Sequence, residues 1–165
     1  MKYLKLPEDE AFIREVISKI DYSNALIPNC TDELVVQACE EALEYGFAAV
    51  AVFPSCVKEV VKRLEGSKVH SQIATGFPMG NHMMETKLTE AKIALDTGVK
   101  EVDMVMNLHR FFSKDYGYVQ EELTKMVELA ADYDVKVKLI IETGYLNDEQ
   151  KLIAGKIAVD AGAGF

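Results

Sequence analysis

Short, nearly continuous apolar segments alternate with amphipathic helical segments along most of this 165-residue chain. The clearest apolar segment is FAAVAVF at 47–53, which ends at Pro54 and is typical of a buried parallel strand. The predicted strands cover 47–53, 69–77, 99–107 and 135–143, and another is expected to begin near 165. Strands that alternate with helices predict right-handed βαβ units and a parallel sheet.

The predicted helices lie between these strands, and several end at a glycine. Thr31 is placed to cap the second helix, with Asp32 and Glu33 in its first turn, where the helix dipole favours anions. The predicted helices cover 8–19, 32–45 (ending at Gly46), 55–65 (ending at Gly66), 83–97 (ending at Gly98), 116–132 and 147–160. No linker or low-complexity stretch divides the chain, so we expect a single domain over 1–165.

Charge and composition exclude several classes of protein. The formal net charge is −9, which argues against a nucleic-acid partner because phosphate binding needs a positive surface. The longest apolar run, 47–54, is far below the ~20 residues of a membrane span, and the N-terminus lacks the apolar stretch of a signal peptide. Three cysteines without a C-x-x-C pair are typical of reduced thiols. We therefore expect a cytoplasmic protein without a membrane partner.

Two parallel architectures fit this order of elements, and side-chain alternation distinguishes them. An open doubly wound sheet can be completed in 165 residues, whereas a (β/α)8 barrel typically needs ~250. In 99–107, Glu101 and Asp103 share one face of the strand, and in 135–143 the lysines Lys136 and Lys138 do the same. Central strands of an open sheet are apolar on both faces, so charged faces favour a barrel lumen. The alternative is that these strands lie at a sheet edge or that the charges sit at frayed ends.

Lys138 and Asp103 are the first candidates for chemistry. Desolvation disfavours a lysine ammonium, and it is also one way that an enzyme makes lysine a nucleophile for a carbonyl carbon. An aspartate on the adjoining strand could compensate that charge and transfer protons. A structural ion pair without catalytic duty is the alternative. Asp21 and Glu142 also lie near strand ends, where barrel enzymes keep reactive groups, although a loop or cap role is the simpler explanation for each.

Other site types lack the residues they need. The three histidines (His70, His82 and His109) have no partner at metal-ligand spacing. The segment from Gly76 to Gly80 follows a strand but matches no phosphate-binding fingerprint. We therefore expect neither a metal nor an organic cofactor.

Five segments together resemble the successive strand motifs of the deoxyribose-phosphate aldolase family. They are Ile20-Asp21, FAAVAVFP (47–54), GFPMGN (76–81), EVDMVMN (101–107) and KLIIETGYL (138–146). The resemblance implies a metal-free (β/α)8 barrel that reversibly cleaves 2-deoxy-D-ribose 5-phosphate to glyceraldehyde 3-phosphate and acetaldehyde through a lysine Schiff base. It also implies a small sugar-phosphate or aldehyde substrate, a role in deoxyribose phosphate catabolism, and a homo-oligomer as a further possibility.

The resemblance also implies roles for individual residues. Asp103 matches the aspartate that relays protons around the carbinolamine, and Lys138 matches a second active-site lysine that lowers the pKa of the nucleophilic lysine. Asp21 matches an aspartate that lines the substrate end. The nucleophile itself follows an AGA motif on the sixth strand of the family, and here AGAGF reaches Phe165. The family's Schiff-base lysine is therefore expected just beyond Phe165.

An incomplete barrel allows two interpretations. In one, the chain is the N-terminal two-thirds of a longer aldolase, roughly five βα units plus an N-terminal helix. In the other, it is a partial barrel that acts as a binding or assembly module and pairs with another chain. The exposed strand edges and charged inner face of five strands motivate the second interpretation. An open-sheet nucleotide-binding domain is a third hypothesis, and it lacks a phosphate loop.

Overall fold

The computed structural model describes residues 10–165, in which five parallel strands form one sheet in the order β1-β2-β3-β4-β5. The strands are β1 (Asp21–Tyr22), β2 (Ala49–Val52), β3 (His70–Thr75), β4 (Glu101–Val105) and β5 (Lys136–Ile140). All four neighbouring pairs are parallel, and chain order equals spatial order. This is the order expected when each βα unit adds the next strand beside the last.

Seven α-helices in the described residues precede, connect or follow these strands. They are α1 (Glu10–Ile17), α2 (Asp32–Tyr45), α3 (Val57–Leu64), α4 (Met84–Thr97), α5 (Leu108–Phe112), α6 (Tyr116–Ala131) and α7 (Asp148–Asp160). Thr31 caps α2 as predicted, because its side chain accepts a hydrogen bond from the Leu34 N–H. The helix predicted over 8–19 is found as α1, and residues 8 and 9 lie outside the described residues.

Two local features differ from the sequence prediction. The helix predicted over 55–65 begins as a 3₁₀ turn at Pro54–Cys56 and becomes α-helical only at Val57. The helix α5 was not predicted. It has five residues, and Asn107 caps it by accepting a hydrogen bond from the Arg110 N–H. So short a helix has too few turns to produce a recognisable apolar period.

The outer face of the sheet packs against the helices and forms the main core. Val102 and Met104 of β4 are fully buried in a cluster that includes Leu123 and Met126 of α6. Val50 of β2 is buried in a second cluster with α2 and α3. Since these residues alternate with the charged positions of the same or neighbouring strands, the helices cover one face of the sheet and leave the other face to the polar side chains.

A contact between the two edge strands shows how strongly the sheet curves. The Lys138 ammonium of β5 donates a hydrogen bond of 2.7 Å to Asp21 Oδ2 of β1. In a flat sheet these strands would be about 19 Å apart, four inter-strand spacings, which exceeds the reach of a lysine side chain. The sheet is therefore an arc that encloses a lumen, as the prediction of an incomplete (β/α)8 barrel requires, and the open doubly wound sheet is excluded.

Residues 164 and 165 continue the sheet beyond β5. The Gly164 N–H donates to Val137 O at 2.9 Å, and the Leu139 N–H donates to Phe165 O at 3.2 Å. This is the pairing of a further parallel strand at the position where the sequence predicted one to begin. Within residues 10–165, no helix combines the length and apolar character that crossing a membrane requires.

Candidate active site

Lys138 lies inside the arc and holds two carboxylates from different strands. Its ammonium donates hydrogen bonds to Asp21 of β1 and to Glu101 Oε2 of β4. The Lys138 side chain is 16% exposed, so the group is only partly hydrated. A partly desolvated cation needs compensating anions, and here it has two.

The two carboxylates decide the protonation of Lys138. Burial by itself lowers the pKa of the ammonium, but the hydrogen bonds from Lys138 to Asp21 and Glu101, with the charges of Glu101 and Asp103, outweigh burial and raise the pKa above its ordinary value. Lys138 is therefore a fixed positive charge at neutral pH. A fixed charge can polarise or stabilise neighbouring groups, whereas a nucleophile would need a neutral amine.

Asp103 lies directly across from Lys138 in the register of β4 and β5, and Ala74 of β3 is its partner on the other side. No hydrogen bond joins Asp103 to Lys138 in the structure. Instead, Asp103 Oδ1 accepts a hydrogen bond of 2.8 Å from Gln72 Nε2. Burial raises the pKa of Asp103 to about 6, although the Gln72 hydrogen bond and the Lys138 charge act in the opposite direction. A carboxyl with a pKa near neutrality can both give and take a proton.

Gln72 connects the two aspartates. This fully buried side chain of β3 uses its Nε2 group to donate to Asp103 and, at 3.2 Å, to Asp21 Oδ2. Its Oε1 atom is buried and has no hydrogen-bond partner within the described part of the chain. The amide thus holds both carboxylates at fixed positions in the lumen and leaves one acceptor available at the same place.

The structure brings together three of the four residues singled out by sequence. Asp21, Asp103 and Lys138 meet in one cluster, whereas Glu142 follows β5 with a φ of +53° and makes no hydrogen bond to that cluster. Sequence reasoning missed Glu101 and Gln72 as members. Glu101 lies on the same face of its strand as Asp103, and the only signal for Gln72 was a glutamine within a predicted strand, between Ser71 and Ile73.

The loop from Gly76 to Gly80 supports the end of β4 beside this cluster. The Gly80 N–H donates to Gly76 O at 2.8 Å, and the Gly76 N–H donates to Glu90 Oε2 of α4 at 2.9 Å. A Cβ atom on Gly80 would come within 2.0 Å of Met106 O, so only glycine permits this close approach. The loop therefore packs against the end of β4, the strand that carries Asp103.

A second lysine lies on the outer side of β4, fully sealed from solvent. Lys87 of α4 donates to Glu122 Oε2 of α6 at 2.7 Å and to Val105 O of β4 at 3.0 Å. Both charged side chains are 0% exposed. Burial lowers the pKa of Lys87 and raises that of Glu122, while the attraction between them opposes both shifts. This pair attaches two helices to the strand that carries Asp103.

No protein-family model matches the chain. A curated deoxyribose-phosphate aldolase from Aciduliprofundum boonei is 43% identical over 152 residues, which are 92% of this chain and 68% of that protein. A second, from Thermococcus kodakarensis, is 42% identical over 154 residues and is covered to the same extent.

The fold comparison agrees. A tetrameric deoxyribose phosphate aldolase structure from Aeropyrum pernix superposes with a TM-score of 0.83 at 31% identity, covering 91% of this chain and 62% of that one. The chain thus spans about two-thirds of the length of the curated relatives and slightly less of this solved structure.

Proposed function

The chain belongs to the deoxyribose-phosphate aldolase family, and from that premise we propose that its lumen cluster is part of a Schiff-base aldolase site. The proposed reaction is the reversible cleavage of 2-deoxy-D-ribose 5-phosphate to glyceraldehyde 3-phosphate and acetaldehyde. We propose that residues 1–165 form one domain, the N-terminal two-thirds of the barrel, and that the nucleophilic lysine follows Phe165. The observation that carries the proposal is a charged Lys138 facing a carboxyl of near-neutral pKa in a partly dry lumen.

Lys138 suits an electrostatic role better than a nucleophilic one. Its raised pKa keeps the ammonium charged, and a fixed positive charge lowers the pKa of any amine that approaches it. Residues 164 and 165 already pair with β5, so a lysine at a lumen-facing position of the strand that they begin would enter the same lumen. We therefore propose that Lys138 activates a neighbouring lysine and does not itself attack the carbonyl.

Asp103 suits a proton-transfer role. A carbinolamine must lose water to become an imine, and this step needs a group that delivers and removes protons near neutral pH. With its pKa at about 6, the Asp103 carboxyl is close to the required value. Asp21 is proposed to line the substrate end, and its hydrogen bond from Lys138 also fixes the position of that ammonium.

Borohydride trapping tests the mechanism. The longest polypeptide encoded by the gene, treated with acetaldehyde and borohydride, should gain the mass of one ethyl group on a lysine beyond position 165. Lys138→Met should slow trapping by about a hundred-fold, the usual scale for losing one catalytic group. Lys156→Met, a change of the same kind on an exposed helix, should leave the rate unchanged.

Two outcomes would contradict the proposal. If no lysine is trapped and cleavage survives Lys138→Met, the Schiff-base mechanism is wrong. If Lys138 itself carries the ethyl group, Lys138 is the nucleophile and the roles must be exchanged. The 165-residue chain serves as an internal comparison and should trap no aldehyde.

We also propose that the complete protein self-associates and that it is cytoplasmic. The tetramer described for the Aeropyrum pernix protein supports self-association of the complete barrel, which light scattering during size-exclusion chromatography would measure. Three free cysteines support a cytoplasmic location, because reduced thiols persist in that compartment.

A further inference from the structure

A cavity of about 660 Å³ lies between α3 and α4 at the N-terminal ends of β3 and β4. Its walls include Lys58 and Lys62 of α3, His70 at the start of β3, and Lys100 just before β4. We call this cavity the α3/α4 groove. Barrel enzymes keep their reactive groups at the opposite, C-terminal ends of the strands, and the groove touches the lumen cluster through the contact between His70 and Glu101. Its volume is within the ~300–1,000 Å³ that small-molecule sites occupy.

The groove concentrates positive charge in an acidic protein. The chain has a formal net charge of −9, yet three lysines line this cavity against the single carboxylate of Glu65. Within residues 10–165, none of the three lysines has a carboxylate within salt-bridge distance. Lys19, Lys68, Lys114 and Lys136 also lack such a partner among the described residues, but none of these four lines the cavity. The remaining described lysines and arginines are paired with carboxylates: Arg14, Arg63, Arg110, Lys87, Lys92, Lys125, Lys138, Lys151 and Lys156.

Helix dipoles explain only part of this arrangement. Lys62 lies in the last turn of α3, where a cation interacts favourably with the exposed carbonyl groups. Lys58 lies in the first turn of the same helix, where the dipole disfavours a cation. Three like charges around one cavity also repel one another, and Glu65 offsets at most one of them. A bound anion would relieve this repulsion.

The nearest carboxylate on the lumen side does not oppose such an anion. Glu101 is engaged on both oxygens, since Oε1 contacts His70 Nδ1 at 2.7 Å and Oε2 accepts from Lys138. Its negative charge is therefore compensated by a lysine that points away from the groove. Glu65 remains the only acidic side chain that lines the cavity.

We propose that the α3/α4 groove binds a small phosphorylated molecule. The ammonium groups of Lys58, Lys62 and Lys100 supply charge-assisted hydrogen bonds to the phosphate oxygens. Val61 and Leu64 also line the cavity and offer an apolar wall to the organic part of the ligand. A nucleoside monophosphate has both a phosphate and a flat, weakly polar ring, and it represents this chemical class.

Titration of the 165-residue chain with inorganic phosphate, pyrophosphate and AMP, followed by NMR of the backbone amides, tests the proposal. We expect saturable shifts confined to residues 58–71 and 97–100. AMP should bind more tightly than inorganic phosphate because of the apolar wall, and added salt should weaken all three ligands. No aldehyde is involved, so the result does not depend on the proposed aldolase activity.

Two triple variants with the same change in net charge make the test specific. The variant K58Q/K62Q/K100Q should weaken pyrophosphate binding by about ten-fold or more. The control K19Q/K125Q/K156Q, in exposed lysines elsewhere, should leave it unchanged, and circular dichroism should show that both variants fold. Equal losses in the two variants, or no saturable shift in the groove, would overturn the proposal. AMP that binds no more tightly than phosphate would overturn the role of the apolar wall.

Discussion

β4 lies between two lysine–carboxylate contacts that differ in hydration and in the number of partners. On the lumen side, Lys138 is 16% exposed and binds two carboxylates, and its pKa is raised. On the outer side, Lys87 is fully buried and binds the single carboxylate of Glu122, and its pKa is lowered because burial dominates.

This difference shows what each side of the barrel wall can do. A second carboxylate and some water keep Lys138 charged, so a reactive group in the lumen can respond to it. One carboxylate in a dry site only balances Lys87, and Glu122 Oε1 has no hydrogen-bond partner among the described residues. Buried pairs of this kind hold elements in place but contribute little net stability. The following changes would break or sharpen this comparison.

The largest effect is expected at the sealed pair. Lys87→Met leaves Glu122 buried without a cation and removes the hydrogen bond to Val105 O. We expect the free energy of unfolding to fall by about 3–5 kcal/mol, measured by urea denaturation. The exposed control Lys156→Gln, which removes a surface pair with Asp160, should change it by about 0.5 kcal/mol or less.

A double variant separates charge from packing at this position. K87M/E122L removes both charges, so most of the loss caused by Lys87→Met should be recovered. If the single variant costs no more than the surface control, or if the double variant is as unstable as the single one, the unpaired charge is not the cause.

A smaller loss of stability is expected when a methyl group is added at Gly76, beside the Lys87 side chain. A Cβ atom at Gly76 would lie 2.6 Å from Lys87 Cδ, whereas at Gly46 it would meet nothing within 4 Å. Both glycines have positive φ, +69° and +76°. Gly46→Ala should therefore cost only the backbone strain of about 1–2 kcal/mol, and Gly76→Ala about 1 kcal/mol more because Lys87 must move. Equal losses in thermal unfolding would show that Lys87 adapts freely.

The smallest effect concerns the lumen and depends on pH. Since the pKa of Asp103 rises from 3.8 to about 6 on folding, the folded protein binds more protons than the unfolded chain between these values. Stability from this group is complete below pH 3.8 and is lost as the pH rises through 6. Asp103→Asn cannot ionise, so it does not lose stability as the pH rises. At pH 7 its free energy of unfolding should exceed that of the unchanged protein by about 1–2 kcal/mol, a value that allows for partial hydration of the lumen.

Measuring the free energy of unfolding of the unchanged protein and of Asp103→Asn at several pH values checks the predicted direction of this pH dependence. The advantage of Asp103→Asn in urea denaturation should shrink as the pH falls from 7 to 4. An advantage that grows in acid would mean that the Asp103 carboxyl is stabilised in its ionised form, contrary to its raised pKa.

The sequence predicted the strands and the face of each charged side chain better than it predicted the contacts. Apolar runs and glycine exits located β2 and α2, and alternation placed Asp103 and Lys138 on one face, because a strand leaves a side chain only two directions. The partners of Lys138 depend on the path of a long flexible side chain. It reaches Asp21 and Glu101, although Asp103 is its neighbour in register.

The sealed pair could not be predicted from local pattern at all. Lys87 lies in the segment METKLTEAK, where lysine is ordinarily a solvated residue on the outer face of a helix. Its burial depends on how α4 and α6 pack over the end of β4, which is information that neither helix carries alone. The roles proposed for Asp21, Asp103 and Lys138 in catalysis stay predictions until the trapping experiment is done.

The bond between Lys138 and Asp21 has a consequence for how the molecule assembles. It joins two residues that are 117 positions apart in sequence. They lie on β1 and β5, and three other strands lie between these two in the sheet. A slip of one residue in any of those pairings would turn the following side chains to the opposite face and separate the two groups. The contact between Lys138 and Asp21 therefore requires the native register of all four strand pairs, and it ties the first of the five strands to the last.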